Sequence, residues 1–264
     1  MKIACPVCKK ELNRQGSCYR CENGHSFDIA REGYLNLNLR NSKNTGDNPD
    51  MIKARKNFLE KGYYDFLKEE VNACLSEDDT LVDLACGEGY YTKDFRCKDK
   101  VGIDLAKSGM KIASRNDKDT LYILSSIFRC PLYDESVDKL ITIFAPIAKD
   151  EIKRILKKDG DFILVKPDVR HLFELKQVLY DEPYLNEVED IPIQGMHIER
   201  HIPVSGRAIL NREDLHNLFM MTPYYNTTSP ADKQKLEKID ELEVGFCFVI
   251  DLYRFDQHSD PEHI

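Results

Sequence analysis

Leu81-Val82-Asp83-Leu84-Ala85-Cys86-Gly87-Glu88-Gly89-Tyr90-Tyr91-Thr92 decides how this chain folds. A short apolar run with an acid in it leads into a Gly-containing turn and then into a helix-like pattern, so a strand, a turn and a helix start follow one another. A glycine in such a turn lets the backbone approach a ligand where a Cβ would stand in the way. Asp104 closes the next apolar run, 21 residues after Asp83. In doubly wound folds an acid at that place holds the ribose hydroxyls of an adenosine group. A carboxylate beside the turn suits a cationic ligand without phosphates better than a pyrophosphate, which turns the expectation from NAD to S-adenosylmethionine. Gly87 and Gly89 alone would serve any tight turn. The specificity lies in strand, turn, helix, strand and terminal acid in series.

Outward from this stretch the pattern repeats. Apolar runs at Leu81–Leu84, Lys100–Ile103, Leu121–Leu124, Leu140–Phe144 and Phe162–Val165 alternate with helical patterns near 90–97, 106–116 and 149–157. Such alternation predicts right-handed crossovers and an α/β, doubly wound, mostly parallel sheet. Strands at His197–Val204 and Glu243–Phe255 and a helix at Arg212–Met221 would complete seven strands. Before the first strand, a helical pattern runs from Met51 to Leu75.

The first 38 residues are of another kind. Cys5-x2-Cys8-x12-Cys21-x3-His25 offers two turns of soft or borderline ligands, a set that suits tetrahedral zinc. Cys18 stands three residues before Cys21 and makes a second ligand set equally plausible, with four thiolates in place of three thiolates and an imidazole. Residues 39–52 are polar, with Gly and Pro, and read as a linker between a module over 1–38 and a domain over 53–264. Net charge is −8, yet residues 1–62 carry twelve Lys/Arg against seven Asp/Glu, so a +5 front end sits on a −13 body. A local basic face can grip phosphates whatever the total, and Arg40, Lys43, Lys53, Arg55 and Lys56 are candidates for RNA contact. No apolar run spans a bilayer and no leader precedes Cys5, so nine cysteines point to a reducing cytoplasm, where spaced cysteines bind metal more often than they pair.

The turn resembles the first motif of class I methyltransferases, usually Asp-x-Gly-x-Gly-x-Gly, with Ala85 in place of the first Gly. The whole chain resembles the RlmA-type 23S rRNA guanine-N1 methyltransferases. The likeness is carried by CPVC (5–8) with Cys21 and His25, by FDIAREGYLNL (27–37), by ARKNFLEKGYY (54–64) and by FAPIAKDEIKRILKKDG (144–160). RHLFELKQVLYDE (170–182) and MTPYY (221–225) add to it. The resemblance implies a class I methyltransferase fold with an N-terminal zinc module, and zinc on Cys5, Cys8, Cys21 and His25 with Cys18 spare. It implies methionine-moiety contacts near Asp83 and Gly87, ribose contacts at Asp104, and further cofactor contacts from Tyr64, from Gly87, Glu88, Gly89 and Tyr90, and from His171. It also implies a guanine in a 23S rRNA hairpin loop as target, and a homodimer as a candidate assembly. Ser125 and Ser126 stand where many relatives carry an acid for the adenine amine. Tyr224 and Tyr225 read as packing or surface aromatics.

Guanine N1 carries a proton at neutral pH, so its methylation needs a base or a stabilised anion. Asp150 and Glu151, after the fourth strand, are the candidates by position, although acids also suit a helix start. Two rivals stand beside the rRNA methyltransferase. One is a small-molecule methyltransferase with a structural zinc; the other is a zinc-dependent RNA-binding protein with a remnant cofactor site. The intact turn with Asp104 weighs against the second, and the basic front end against the first.

Overall fold

Nearly continuous apolar runs cannot face water on either side, and Thr80–Leu84, apolar but for Thr80 and Asp83, is buried at every position but its first. That is the signature of strands covered on both faces, and the chain folds accordingly. The computed structural model describes residues 1–39, 49–188 and 190–256. Four short strands, β1 (Ile3–Ala4), β2 (Glu11–Gln15), β3 (Cys18–Arg20) and β4 (Ser26–Asp28), make an antiparallel sheet in chain order. After them come β5 (Leu35–Asn36), α1 (Pro49–Leu59), α2 (Asp65–Asn72), β6 (Thr80–Leu84), β7 (Asp99–Asp104), α3 (Lys107–Asn116) and β8 (Leu121–Leu124). The second half holds β9 (Val137–Ile143), α4 (Lys149–Ile155), β10 (Leu156–Pro167), α5 (Phe173–Leu179), β11 (Met196–Asn211), α6 (Arg212–Met220), α7 (Pro230–Glu237) and β12 (Glu241–Phe255).

The large sheet runs β11-β12-β10-β9-β6-β7-β8-β5. It is parallel from β5 to β10, and β12 is antiparallel to both of its neighbours. Residues 80–255 supply the seven expected strands. The eighth, β5, comes from the N-terminal segment and pairs Leu35 with Ile123 and Asn36 with Leu124.

Two expectations about helices change. The pattern over 51–75 is broken between α1 and α2 at Gly62, whose φ of +80° lies in the left-handed region. The helix expected near 90–97 is only a 3-10 turn over Thr92–Asp94. Side chains take the backbone groups that a helix would use. Asn72 Nδ2 donates to the Asp94 carbonyl, Arg96 N donates to Asn72 Oδ1, and Lys100 Nζ donates to the carbonyls of Lys93 and Phe95.

The sheet is covered on both faces. Phe58, Leu67, Leu175, Leu215 and Leu218 from the helices pack with Phe246 and Phe248 in one core. In another, Ile3, Cys5, Leu12 and Cys21 of the small sheet are buried with Val82, Ile103, Leu140 and Phe162. The module is therefore docked on the large sheet. It lies against residues 125–136, the β8–β9 connection, which has no helix: Ala4 N donates to the Pro131 carbonyl (2.8 Å), and Ile3 bridges Leu132. Burying Ile3 and Leu12 there contributes about 1.5–3 kcal/mol each. Most of the expected linker, with Arg40 and Lys43, lies outside the described residues.

Candidate functional site

The turn after β6 folds back because three of its residues take left-handed backbone: Ala85 (φ +67°), Gly87 (+57°) and Gly89 (+75°). Gly87 faces open space, since a Cβ built on it would meet nothing within 4 Å. Gly89 has the opposite reason to be glycine, because its Cβ would fall 2.6 Å from the Tyr122 hydroxyl. Asp104 ties the turn down: its carboxylate accepts Gly87 N at 2.9 Å and Ala106 N at 2.6 Å. A carboxylate has about four lone-pair sites, so two amides leave room for two hydroxyl donors.

Above this turn opens a cavity of about 980 Å³. It lies where Ala85, Leu105 and Phe144 continue from β6, β7 and β9 and where Pro167 ends β10, at the carboxyl ends of the strands and the point where strand order reverses. Ligand pockets commonly fall between about 300 and 1,000 Å³, so this one is large enough for a nucleoside-sized ligand together with part of a second reactant. Among the expected contacts Tyr64, Asp83, Gly87, Glu88, Tyr90, Asp104 and His171 line it, and Gly89 lies behind the turn.

Each lining residue has a distinct state. Asp83 is buried and accepts the Thr92 hydroxyl at 2.5 Å. Burial, then the nearby charge of Asp104, pushes its carboxyl up to about 7 against the opposing pull of Thr92. Tyr64 sits at the break before α2, buried edge-on against Phe58, Phe246 and Phe248. Tyr90 spends its hydroxyl on Asp65 (3.0 Å) and carries Lys68 over its ring. Arg55 stands 3.6 Å from Glu88. His171 stacks on Phe248 and accepts Cys247 N on Nδ1, so the neutral ring carries its proton on Nε2. Burial, with the charge of Lys176, pushes it down to about 3 and keeps it neutral.

Sequence reasoning passed over several lining residues: Tyr91, Phe128, Phe144, Lys166 and Asn186. The Tyr91 hydroxyl is buried with no hydrogen-bond partner among the described residues. Phe144 and Leu172 also take left-handed φ, a strain that clusters at functional sites. Tyr224, expected to be packing, packs on Phe219 and lines the cavity as well, whereas Tyr225 does not line it.

The second site is the cluster Cys5, Cys8, Cys21 and His25, whose ligand atoms all lie within 4.8 Å of one another. Cys5 Sγ is 3.6 Å from His25 Nδ1, Cys8 Sγ is 3.6 Å from Cys21 Sγ, and Cys21 Sγ is 3.4 Å from His25 Nδ1. Tetrahedral zinc, with bonds of about 2.3 Å to sulfur and 2.0–2.1 Å to nitrogen, spaces its ligands roughly 3.5–3.8 Å apart. The residues fit zinc. Amide donation from Lys10 leads the effects that pull the Cys8 thiol down to about 6, toward the thiolate a metal requires. Cys18 stands outside the cluster, with its Sγ on the Gln15 carbonyl. Of the two sets that spacing left open, the geometry favours the one with His25.

Residues 3–44 match the family described as RlmA, N-terminal, and residues 82–164 match a methyltransferase domain. The chain is 32% identical to Bacillus subtilis YxjB, described as a 23S rRNA (guanine-N(1)-)-methyltransferase, over 89% of this chain and 90% of that one. The chain belongs to the RlmA-type methyltransferase family. Another member, the 23S rRNA (guanine(748)-N(1))-methyltransferase of Streptomyces fradiae, is 32% identical over 67% of each chain. A protein of Micromonospora griseorubida with a 23S rRNA (guanine-N(1)-)-methyltransferase description is 31% identical over 87% of this chain and 88% of its own.

The two acids offered for catalysis are not in this family member's cavity. Asp150 is fully exposed at the start of α4. Glu151 accepts Cys130 N and holds the Arg154 guanidinium with both oxygens, which braces the β8–β9 connection. No helix among the described residues is long and apolar enough to cross a membrane.

Proposed function

We propose that this enzyme transfers the methyl group of S-adenosylmethionine to N1 of a guanine in 23S rRNA and that zinc holds its N-terminal module. The observation that carries this is a likeness to YxjB over 89% of the chain, together with family matches over the four-ligand module (3–44) and over the methyltransferase domain that holds the turn (82–164). S-adenosylmethionine, when bound, supplies an electrophilic methyl on a sulfonium. The cleft has two unlike walls that suit such a reaction. Asp83, Glu88 and Asp104 make an acidic wall, fit for a cation and for ribose hydroxyls. Opposite in the strand order, Lys166 and His171 offer donors, and Lys166 keeps its ion pair with Asp251. His171 is too weak a base to take the N1 proton. It serves as a donor to the negative charge that spreads onto the guanine O6 when that proton passes to solvent water. Positioning of the two reactants supplies much of the rate.

The target is read as a base in a hairpin loop, because loops splay bases out where a cleft can receive them. The exposed cations of the module fit the backbone: the side chains of Lys9 and Arg31 have no hydrogen-bond or ion-pair partner among the described residues. The test is incubation of the zinc-loaded protein with labelled S-adenosylmethionine and 23S rRNA, then digestion to nucleosides. N1-methylguanosine is expected. Label that appears only in small molecules, or in no product, refutes the reading.

A further inference from the structure

Between β8 and the docked module lies a short run that the reading above leaves without a role. It is pinned at both ends. Ser125 N donates to the Asp104 carbonyl (3.0 Å), and Phe128 N and Arg129 N donate to the hydroxyl and carbonyl of Ser126 (both 3.2 Å). Cys130 N donates to Glu151 (2.7 Å), and the Pro131 carbonyl accepts Ala4 N from the module (2.8 Å). Ile127 and Cys130 are buried, so the run is anchored by packing as well.

The two residues between the anchors stand out. Phe128 is 57% exposed although it lines the cleft. Arg129 is exposed, and its guanidinium has no partner among the described residues. A scattered exposed apolar side chain is ordinary. A rigidly held one at the mouth of a ligand cleft, next to an uncommitted guanidinium, is not accounted for by packing. Cations also stand nearby: against the upward push of burial, Arg154 leads the effects that lower the Glu151 carboxyl, and Lys9 of the zinc knuckle adds to them. The run thus joins the strand end that carries Asp104 to the basic module, with an aromatic face toward the cleft and a charge toward solvent. Aromatic side chains hold unpaired bases by stacking, and Arg adds phosphate pairing.

We infer that Phe128 and Arg129 present the target nucleotide, with Phe128 stacking on a loop base at the cleft mouth and Arg129 pairing with the adjoining phosphate. This rests on the rRNA reading above. The test uses the full-length, zinc-loaded protein and its variants Phe128→Ala, Phe128→Trp, Arg129→Ala and Arg129→Lys. Cofactor affinity is measured by calorimetry, kcat/KM on 23S rRNA by methyl transfer, and RNA affinity across a salt series. Phe128→Ala should lose about tenfold or more in kcat/KM with cofactor affinity unchanged, and Phe128→Trp should restore it. Arg129→Ala should weaken RNA binding and reduce the salt slope by about one, and Arg129→Lys should keep the slope. Wild-type kcat/KM in Phe128→Ala overturns the inference, and so does a Trp variant no better than Ala. A parallel loss of cofactor affinity also overturns it and assigns Phe128 to the cofactor instead. Failure of the underlying reading is seen separately, as wild-type protein that leaves 23S rRNA unmethylated.

Discussion

The metal cluster and the cleft are both built on left-handed turns, but they gather their residues differently. Four ligands come from two turns within a 21-residue span, Cys5 to His25, and each turn closes on itself: Lys9 N donates to the Cys5 carbonyl, and Gly24 N to that of Cys21. The cleft is assembled from the ends of four strands, from the break between α1 and α2, and from the segments around α5 and α6. A local site depends on its ligand; a distributed one depends on the packing of the whole sheet. The core shared by the module and the sheet couples the two, so the metal site should control the stability of the larger structure as well.

That coupling gives the largest expected effect. Structural zinc contributes apparent energies of about 10–16 kcal/mol in zinc-finger peptides at neutral pH. His25→Ala, or removal of metal by a chelator, should release the module, uncover Ile3 and Leu12, and lower the melting temperature of the entire chain. Cys18→Ser should keep one equivalent of zinc and the wild-type melt. Elemental analysis with thermal unfolding reads both. If zinc is lost without any change in the main transition, the module is an independent appendage and the shared core contributes little. The same coupling makes deletion of residues 1–38 a poor test of RNA binding, because it also removes β5 from the sheet.

On the cleft side the largest single change is Asp104→Ala. It strips two amides, Gly87 N and Ala106 N, of their acceptor. Each orphaned donor costs about 1–3 kcal/mol where water cannot replace the carboxylate. Cofactor affinity should fall by at least about tenfold, or 1.4 kcal/mol. Calorimetry on protein shown to be folded would measure it, and unchanged affinity removes Asp104 from the ribose role.

Legibility followed the same division. Cysteine spacing exposes a local site directly, and only the choice between Cys18 and His25 needed coordinates. The strand-turn-strand series around Gly87 was legible because backbone conformation restricts residue type. Of the opposite wall only His171 was named, through the family resemblance. Lys166 reads as the polar end of an apolar run, Asn186 as part of a polar loop, and Phe128 as one apolar residue among several, since neighbourhood in space leaves no mark on local periodicity. The missing helix after Gly89 was invisible for a similar reason, because Asn72 and Lys100, which replace its hydrogen bonds, lie outside that segment.

Titration offers a finer probe of the cleft. Asp83 has its folded carboxyl at about 7 against an ordinary 3.8. Between those values the folded chain holds a proton that the unfolded chain has released, so rising pH erodes stability, by at most about 1.4 kcal/mol per pH unit. His171 works in the opposite sense. Its folded value of about 3 lies below an ordinary 6.5, so the unfolded chain binds the extra proton there and falling pH erodes stability. The two trends oppose each other between about pH 4 and 6.5. Asp83→Asn should leave the acid-side loss of His171 uncovered, visible as denaturant midpoints that drop more steeply below about pH 6.5. A bound cation favours ionised Asp83, so wild-type cofactor affinity should rise with pH up to about 7 and that of Asp83→Asn should stay flat. Identical pH profiles for the two proteins would show that Asp83 does not titrate in this window.

The smallest effect compares the two regions at the level of single residues. Ala85 in the cofactor turn and Lys9 in the zinc knuckle both hold φ near +65°, at +67° and +64°. A side chain in that conformation costs roughly 1–2 kcal/mol through its Cβ. Glycine relieves the strain but gives the unfolded chain about 0.4–1 kcal/mol more entropy to lose. Ala85→Gly should therefore stabilise the protein by up to about 1 kcal/mol, or roughly 2–4 °C in a chain of this size. Lys9→Gly should gain the same if the strain is local in both places. Because the metal fixes the knuckle whichever residue stands there, the two can diverge through tertiary packing around the cofactor turn or through the small attraction of Lys9 for Glu151 that Lys9→Gly removes. Thermal melts of the zinc-loaded single variants decide it. A loss of stability in Ala85→Gly would mean that the methyl group makes contacts worth more than the strain it imposes, and the turn would then owe its shape to packing against the sheet rather than to Asp104.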